Sequence, residues 1–404
     1  MSGGRNPRND AGELPIFSNT APGNNDEMEI DSSVPTMPPT ILGTSSHSEP
    51  LNATHPLLTL NLHHHTFDDT QSDQHSLYTE DHDSAYDSAS LLGDDTDTLA
   101  SFITDYRYEN GRRYHSFRDG AYWGPNDDRQ NELVDLAHHM YLITLDGNLH
   151  LAPIGEGGVR GNVHEILDIG TGTGIWAIDM ADEYPSARVT GTDLSPIQPD
   201  FVPPNCSFEI DDVTLEWTFP DDRFDFIHIR EMFGCIPDWD FFLQQAWRCL
   251  KPGGWVEIVE HSVWPVSDDP RVGPDHFYNT WGTTVEGLGE RWGKTFRIWR
   301  QSRDKVVEAG FTEVVERRFK WPIGGWHHDP KMREVGMWNQ LRMMDGVEGF
   351  MLRLLTGPGG MSIHTAQAFL GRMREELRNP SNQSYQAGYG FYLDGSVVYA
   401  RKPL

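Results

Sequence analysis

The sequence predicts an α/β fold: a mostly parallel sheet covered on both faces by helices. Two observations carry this. Short apolar runs alternate with helical patterns from residue 165 to residue 260, the arrangement that builds parallel sheets. The first run, Glu165-Ile166-Leu167-Asp168-Ile169, ends in Gly170-Thr171-Gly172-Thr173-Gly174 and passes directly into the helical pattern Ile175–Met180. A glycine-rich turn between strand and helix lets a ligand approach bare main chain, beside the unpaired N–H groups and positive dipole end of the helix.

Ahead of that turn, Tyr106–His115 is dense in side chains that make directional contacts. Asp127 with Gln130 three residues on resembles a capping box and opens a helix. Leu133, Leu136, Ala137, Met140 and Tyr141 supply its apolar stripe. A Gly-rich break from Gly155 to Gly161 follows. After the turn, Arg188–Asp193 reads as the second strand and Cys206–Val213 as the third, with an acidic end at Asp211-Asp212. Arg223–Arg230 is the fourth. A helix from Phe241 to Leu250 is stopped by Lys251-Pro252-Gly253-Gly254, and Trp255–Glu260 is the fifth strand. A helix over Ser302–Ala309, a strand over Phe311–Trp321, helices over Lys331–Met344 and His364–Arg378, and a last strand over Tyr389–Ala400 complete the chain. The two late strands are expected to form an antiparallel pair at the sheet edge, and the helical insert between them, about 325–385, a lid over the substrate.

Asp193 ends the second strand 25 residues after Asp168. An acid at that place can accept both hydroxyls of a ribose. A dinucleotide site would show G-x-G-x-x-G, with its third glycine one turn into the helix. Here the spacing is G-x-G-x-G, followed by Ile175, Trp176 and Ala177. The ligand favoured is a nucleoside without a pyrophosphate, held by its ribose and a charged tail, and S-adenosylmethionine fits. A nicotinamide oxidoreductase is the weaker reading.

Charge is distributed unevenly. Residues 1–100 hold 17 acids and 2 basic residues, a balance of −15 that leaves −14 of the net −29 for the rest. That stretch is also rich in Ser, Thr, Pro, Asn and Asp, and is expected to be a disordered acidic tail, because it cannot bury enough apolar surface to offset its ordering entropy. The domain is expected to run from 101 to 404, with an N-terminal helical cap. The acidity argues against direct binding to nucleic acid or to an anionic membrane, and no 18-residue apolar run suggests a membrane span. His63-His64-His65 reads as a solvated low-complexity run, so no metal site is expected. Three cysteines, with no secretory pattern at the N-terminus, suit a reducing compartment, cytoplasmic or nuclear. The tail is a candidate surface for regulatory protein partners.

The ordered set Asp168-x-Gly170-x-Gly172-x-Gly174, Asp193, Asp212, Phe224-Asp225 and Leu250-Lys251-Pro252-Gly253-Gly254 resembles the Rossmann-like class I S-adenosylmethionine-dependent methyltransferases. The flanking Glu109–His115, Trp123-Gly124-Pro125-Asn126-Asp127 and Trp321-Pro322-Ile323-Gly324 are similar to the fungal LaeA-like group, also called TAM-domain methyltransferases. The resemblance covers roughly residues 101–404. It implies a seven-stranded sheet of order 3-2-1-4-5-7-6 with the last strand antiparallel, a cofactor site at the carboxyl ends of the strands and, for some members, a nuclear role in secondary metabolism and development.

On this reading Gly170, Gly172 and Gly174 hold the methionine part of the cofactor, and Asp193 the ribose. Asp168 orients the loop or meets the cofactor's ammonium group. Asp212 accepts the adenine amino group beside the Val213 backbone N–H, with Asp211 the alternative, since adjacent acids point to opposite sides of a strand. Arg230 touches the cofactor tail or the substrate, or pairs with Glu231. Tyr122 and Trp123 are candidates to stack on cofactor or acceptor. Methyl transfer asks the protein chiefly to align the nucleophile and exclude water. Where the acceptor has a proton to lose, Tyr114, His115, Glu260 and His261 are the candidate bases. The methyl acceptor, small molecule or protein, is unknown from sequence. A regulatory scaffold that keeps the fold without catalysis is the competing reading.

Overall fold

A computed structural model describes residues 105–155, 163–384 and 389–404. The acidic stretch, its boundary near residue 100, His63–His65 and most of the Gly155–Gly161 break lie outside them. Two short strands come first, β1 (Arg107–Glu109) and β2 (Arg112–Tyr114). They pair around Asn110 and Gly111, both at positive φ, the dipeptide that suits a tight hairpin turn. Helix α1 (Asp128–Thr144) follows, and the Asp127 carboxylate caps it by accepting the Gln130 N–H. Arg112 grips the same carboxylate with two bonds of 2.6 and 2.8 Å, so the hairpin fixes where the helix starts.

The parallel strands are β3 (Glu165–Ile169), β4 (Arg188–Asp193), β5 (Cys206–Ile210), β6 (Phe224–Arg230) and β7 (Leu250–His261). Helix α2 (Ile175–Glu183) links β3 to β4, and α3 (Trp239–Cys249), capped by Asp238, links β6 to β7. After the two-residue β8 (Val266–Ser267) come helices α4 (Phe277–Trp292) and α5 (Ile298–Glu308) and strand β9 (Thr312–Pro322). Helices α6 (Pro330–Thr356) and α7 (Ile363–Arg378) precede the short β10 (Gln383–Ser384) and β11 (Tyr389–Arg401).

The sheet runs β5-β4-β3-β6-β7-β11-β9, with β11 antiparallel to both its neighbours and β8 and β10 extending its first residues. This is the expected order 3-2-1-4-5-7-6. Alternation along β3 decides the layers. Ile166 points to one face, into a small core with Trp176, Ala177 and Met180 of α2. Leu167 and Ile169 point to the other, into the large core that takes in α3, α4, α6 and α7. No described helix is long and apolar enough to cross a membrane.

Two helices differ from expectation. Helix α4 is not signalled by the sequence pattern, and α6 runs twelve residues beyond Met344. Glycines inside both suggest breaks, but here they are points of close approach. A Cβ on Gly282 would lie 2.1 Å from the Trp264 ring, and one on Gly349 would lie 2.5 Å from Gln130 Oε1 of α1.

Candidate active site

Strand order reverses between β3 and β6, and in open α/β sheets the ligand crevice lies outside the carboxyl ends of the strands at such a point. A cavity of about 210 Å³ opens there. Its lining includes Gly170 and Gly172 after β3, Asp193 at the end of β4, Asp212 and Val213 after β5, Arg230 at the end of β6 and His261 at the end of β7. Five strands, separate in sequence, deliver one residue or pair each to one place.

The glycine loop is held in shape from below. Gly170 and Gly172 take φ of +68° and +58°, values that favour glycine. Thr171 donates its hydroxyl to Asp168 Oδ2 at 2.6 Å, and the other carboxylate oxygen accepts from His228 Nδ1 at 2.8 Å. The His228 ring lies flat on Trp176, with centroids 3.8 Å apart, and burial pushes its pKa down. Asp168 is buried with both oxygens engaged by Thr171 and His228, and it does not line the cavity. Gly174, φ +82°, also lies off the cavity. A Cβ there would lie 2.4 Å from the Phe208 ring, so packing of α2 on β5 accounts for it.

Asp193 accepts the Gly172 N–H on one oxygen and the Ser195 N–H on the other, each at 2.9 Å. A carboxylate has about four lone-pair sites, and Asp193 lines the cavity. Burial, opposed by these amides, raises its pKa to about 6. Gln198 fixes the other side of the peptide by donating to the Gly172 carbonyl at 2.6 Å. The flanking Trp-Gly-Pro-Asn-Asp run belongs to the same wall: Asn126 donates to Ser195 Oγ at 3.2 Å while Trp123 is buried against Phe233. Asp212 accepts the Thr214 N–H and O–H on Oδ1, and its Oδ2 lies 3.6 Å from Arg118. Asp211 also lines the cavity, so both acids reach it.

Beyond β6 the character changes. Arg230 meets the His138 Nδ1 at 3.2 Å and lies over the Tyr141 ring, while His138 bonds Asp179 at 2.9 Å. Glu231 pairs elsewhere. Held at φ +54°, it turns its carboxylate to Arg342 of α6 at 2.8 Å, with His261 Nε2 at 3.3 Å. Burial pushes the Glu231 carboxyl up, but Arg342 and His261 outweigh it and hold the group well below the usual carboxylate range. Trp281, Val285, Phe296, Phe350 and Met351 complete this side.

Of the four candidate bases, only His261 lines the cavity. Its Nδ1 donates to the Ser262 carbonyl at 2.8 Å, which leaves Nε2 facing Glu231 and Arg342. Glu260 is buried under the turn after β6, where it accepts the Met232 and Phe233 N–H groups, and burial raises its pKa well above normal. Tyr114 is buried beneath the Arg353 guanidinium, its pKa raised to about 12 by desolvation. His115 is buried and donates from Nδ1 to the Phe117 carbonyl at 2.6 Å. These three serve the wall behind the cavity. What sequence reasoning missed is Arg342 and the aromatic side chains of α4 and α6. No local motif marks them, because only the packing of those helices brings them to the strand ends.

Comparison with known proteins agrees with this geometry. A family described as a methyltransferase domain matches residues 136–305. Methyltransferase pytC of Aspergillus terreus is 38% identical over 322 residues, 78% of this chain and 94% of that protein. The secondary metabolism regulator LAE1 of Cochliobolus heterostrophus is 36% identical over 61% of this chain and 81% of its own. The protein-methionine methyltransferase laeA of Emericella nidulans is 31% identical over 74% of this chain and 77% of its own.

A methyltransferase domain implies S-adenosylmethionine as cofactor, and the residues present fit it. A Cβ at Gly172 would meet nothing nearer than Val134 Cγ1 at 3.4 Å, so the main chain is open to a ligand there. Asp193 offers free lone pairs, and the buried Thr192 Oγ1 and Gln130 Oε1 lack partners among the described residues. The chain is a member of the LaeA-like group of class I methyltransferases.

Proposed function

We propose that this protein transfers the methyl group of S-adenosylmethionine to an acceptor bound on the α4–α6 side of the cavity, in fungal secondary metabolism or its regulation. The observation that carries this is the continuity of one cavity. Polar strand ends suited to a nucleoside form one side, and an apolar chamber roofed by a helical insert forms the other. The cofactor supplies an activated methyl on a sulfonium. The protein's own work is to bind, orient and exclude water. Asp193 and the Gly170–Gly172 main chain hold the ribose side, and Asp211 or Asp212 with Val213 reads the base. Met232 and Phe233, whose N–H groups Glu260 holds, line the same cavity. Helix α6 closes the roof. The names of the relatives, a methyltransferase and regulators of secondary metabolism, support this setting.

Isothermal titration of the full chain with S-adenosylmethionine tests the reading, followed by incubation with isotopically labelled cofactor in a fungal extract and mass spectrometry for the labelled product. Saturable binding and a labelled acceptor are expected. A folded protein that gives no heat with the cofactor would refute it.

A further inference from the structure

The acceptor side of the cavity is specific in its chemistry. Its walls are Trp281, Val285, Phe296, Phe350 and Met351, buried or nearly so. Among the described residues, its one charged group from the roof is Arg342, only 5% exposed. One guanidinium nitrogen, Nη2, bonds Glu231, and Nη1 lies 3.4 Å from His261 Nε2. The third, Nε, is buried without a partner among the described residues. A buried donor left unpaired is costly, and Arg342 lines the cavity, so an acceptor oxygen that took this N–H would relieve it.

Resting on the methyl-transfer reading above, we propose that the acceptor is a small, planar, largely apolar molecule bearing an acidic hydroxyl, a phenol or an enol, bound as its oxyanion to Arg342. Two physical arguments select it. A peptide acceptor brings an amide N–H and C=O with every residue, and these need partners. Aromatic and aliphatic walls supply none. A planar apolar body, by contrast, gains from burial against aromatic rings. An acceptor bound as its anion brings no proton for the chamber to remove, and the four candidate bases are not placed to take one. Three of them lie off the cavity, and His261 is occupied on both ring nitrogens by the Ser262 carbonyl and by the Glu231–Arg342 pair. The acceptor therefore leaves its proton to water before it binds. Its oxygen lone pair then forms a bond to the methyl carbon as the carbon–sulfur bond breaks. That pair stays on sulfur, and the negative and positive charges cancel to give a neutral methyl ether and a neutral thioether. Arg342 makes a charge-assisted bond to the oxyanion and aims it.

The test uses the full chain saturated with S-adenosylhomocysteine and titrated with matched probes: 4-hydroxycoumarin, 1-naphthol, 1-methoxynaphthalene and a short methionine-containing peptide. The two hydroxylated probes are expected to bind at least tenfold more tightly than the methyl ether, each with an affinity that rises with pH through the probe's own pKa. Arg342→Lys keeps a positive charge beside Glu231 but lacks the second planar N–H. It should erase the preference for hydroxyl over ether while the affinity for S-adenosylhomocysteine, set on the other side of the cavity, stays within error. Equal binding of hydroxyl and ether by the unaltered protein, or binding of the peptide alone, would overturn the proposal. So would a pH dependence that stays fixed when the probe is changed. Failure to bind S-adenosylhomocysteine at all would instead bring down the methyl-transfer reading, and this inference with it.

Discussion

The two sides of the cavity are built by different means. On the cofactor side, main-chain groups and short polar side chains sit at the ends of β3, β4 and β5, each within a residue or two of its own strand end. On the acceptor side, side chains of α4 and α6 reach over the sheet from positions 50 to 120 residues beyond β6. The first kind of site is written as local spacing. The second exists only once helices have packed, and its chemistry comes from which side chains that packing leaves uncovered.

Substitutions on each side should separate the two functions. The largest effect is expected for Asp193→Ala, which removes the proposed acceptor for two ribose hydroxyls and frees the Gly172 and Ser195 amides. Hydrogen bonds to a charged group contribute about 1.5–3 kcal/mol each, so calorimetry should show cofactor affinity reduced by about 100-fold or more. Next is Gly174→Ala, where the new Cβ meets Phe208 and the backbone is left-handed. It should lower unfolding free energy by about 2–3 kcal/mol in a denaturant titration. If it altered cofactor affinity more than stability, Gly174 would belong to the ligand after all. Phe350→Ala, on the acceptor side, is expected to raise acceptor KM by about tenfold and to leave cofactor affinity unchanged, checked by titration of both ligands. A parallel loss of cofactor binding would mean that the two sides are one site. The smallest effect is expected from pH. Because the Asp193 carboxyl is raised to about 6, it is ionised above that value and protonated below it. Cofactor affinity should hold from pH 8 to 7 and fall several-fold between pH 7 and 5, and Asp193→Asn should flatten that dependence.

The same distinction explains what could be read in advance. The strands, their ends and the placing of Asp193 were legible from alternation and turn glycines, which act over a few residues, whereas the sheet order and the place of Asp212 came from the resemblance to class I methyltransferases. The hairpin at Asn110-Gly111 also carries a readable signal, though it sits inside a run whose polar side chains draw the eye first. Helix α4 was not legible: Gly282, Gly287 and Gly289 interrupt its apolar pattern, and Gly282 and Gly289 serve to admit Trp264 and Phe296. Residue type and an expected place near the active-site mouth nominated His115 and Glu260 as bases. Their burial and backbone partners, set by tertiary packing, keep them off the cavity.

Glu231, just past the end of β6, adopts a left-handed backbone that costs a non-glycine residue about 1–3 kcal/mol, and this turn ties the rigid sheet to a helix of the roof through Arg342. Any swing of α6 that admits an acceptor or releases a methylated product must pull a carboxylate and a guanidinium apart in an apolar surround. The roof is thus latched rather than merely laid in place. The oxyanion proposed above would take the N–H that this pair leaves over, so the side chain that fastens the cover would also be the one that greets what lies beneath it.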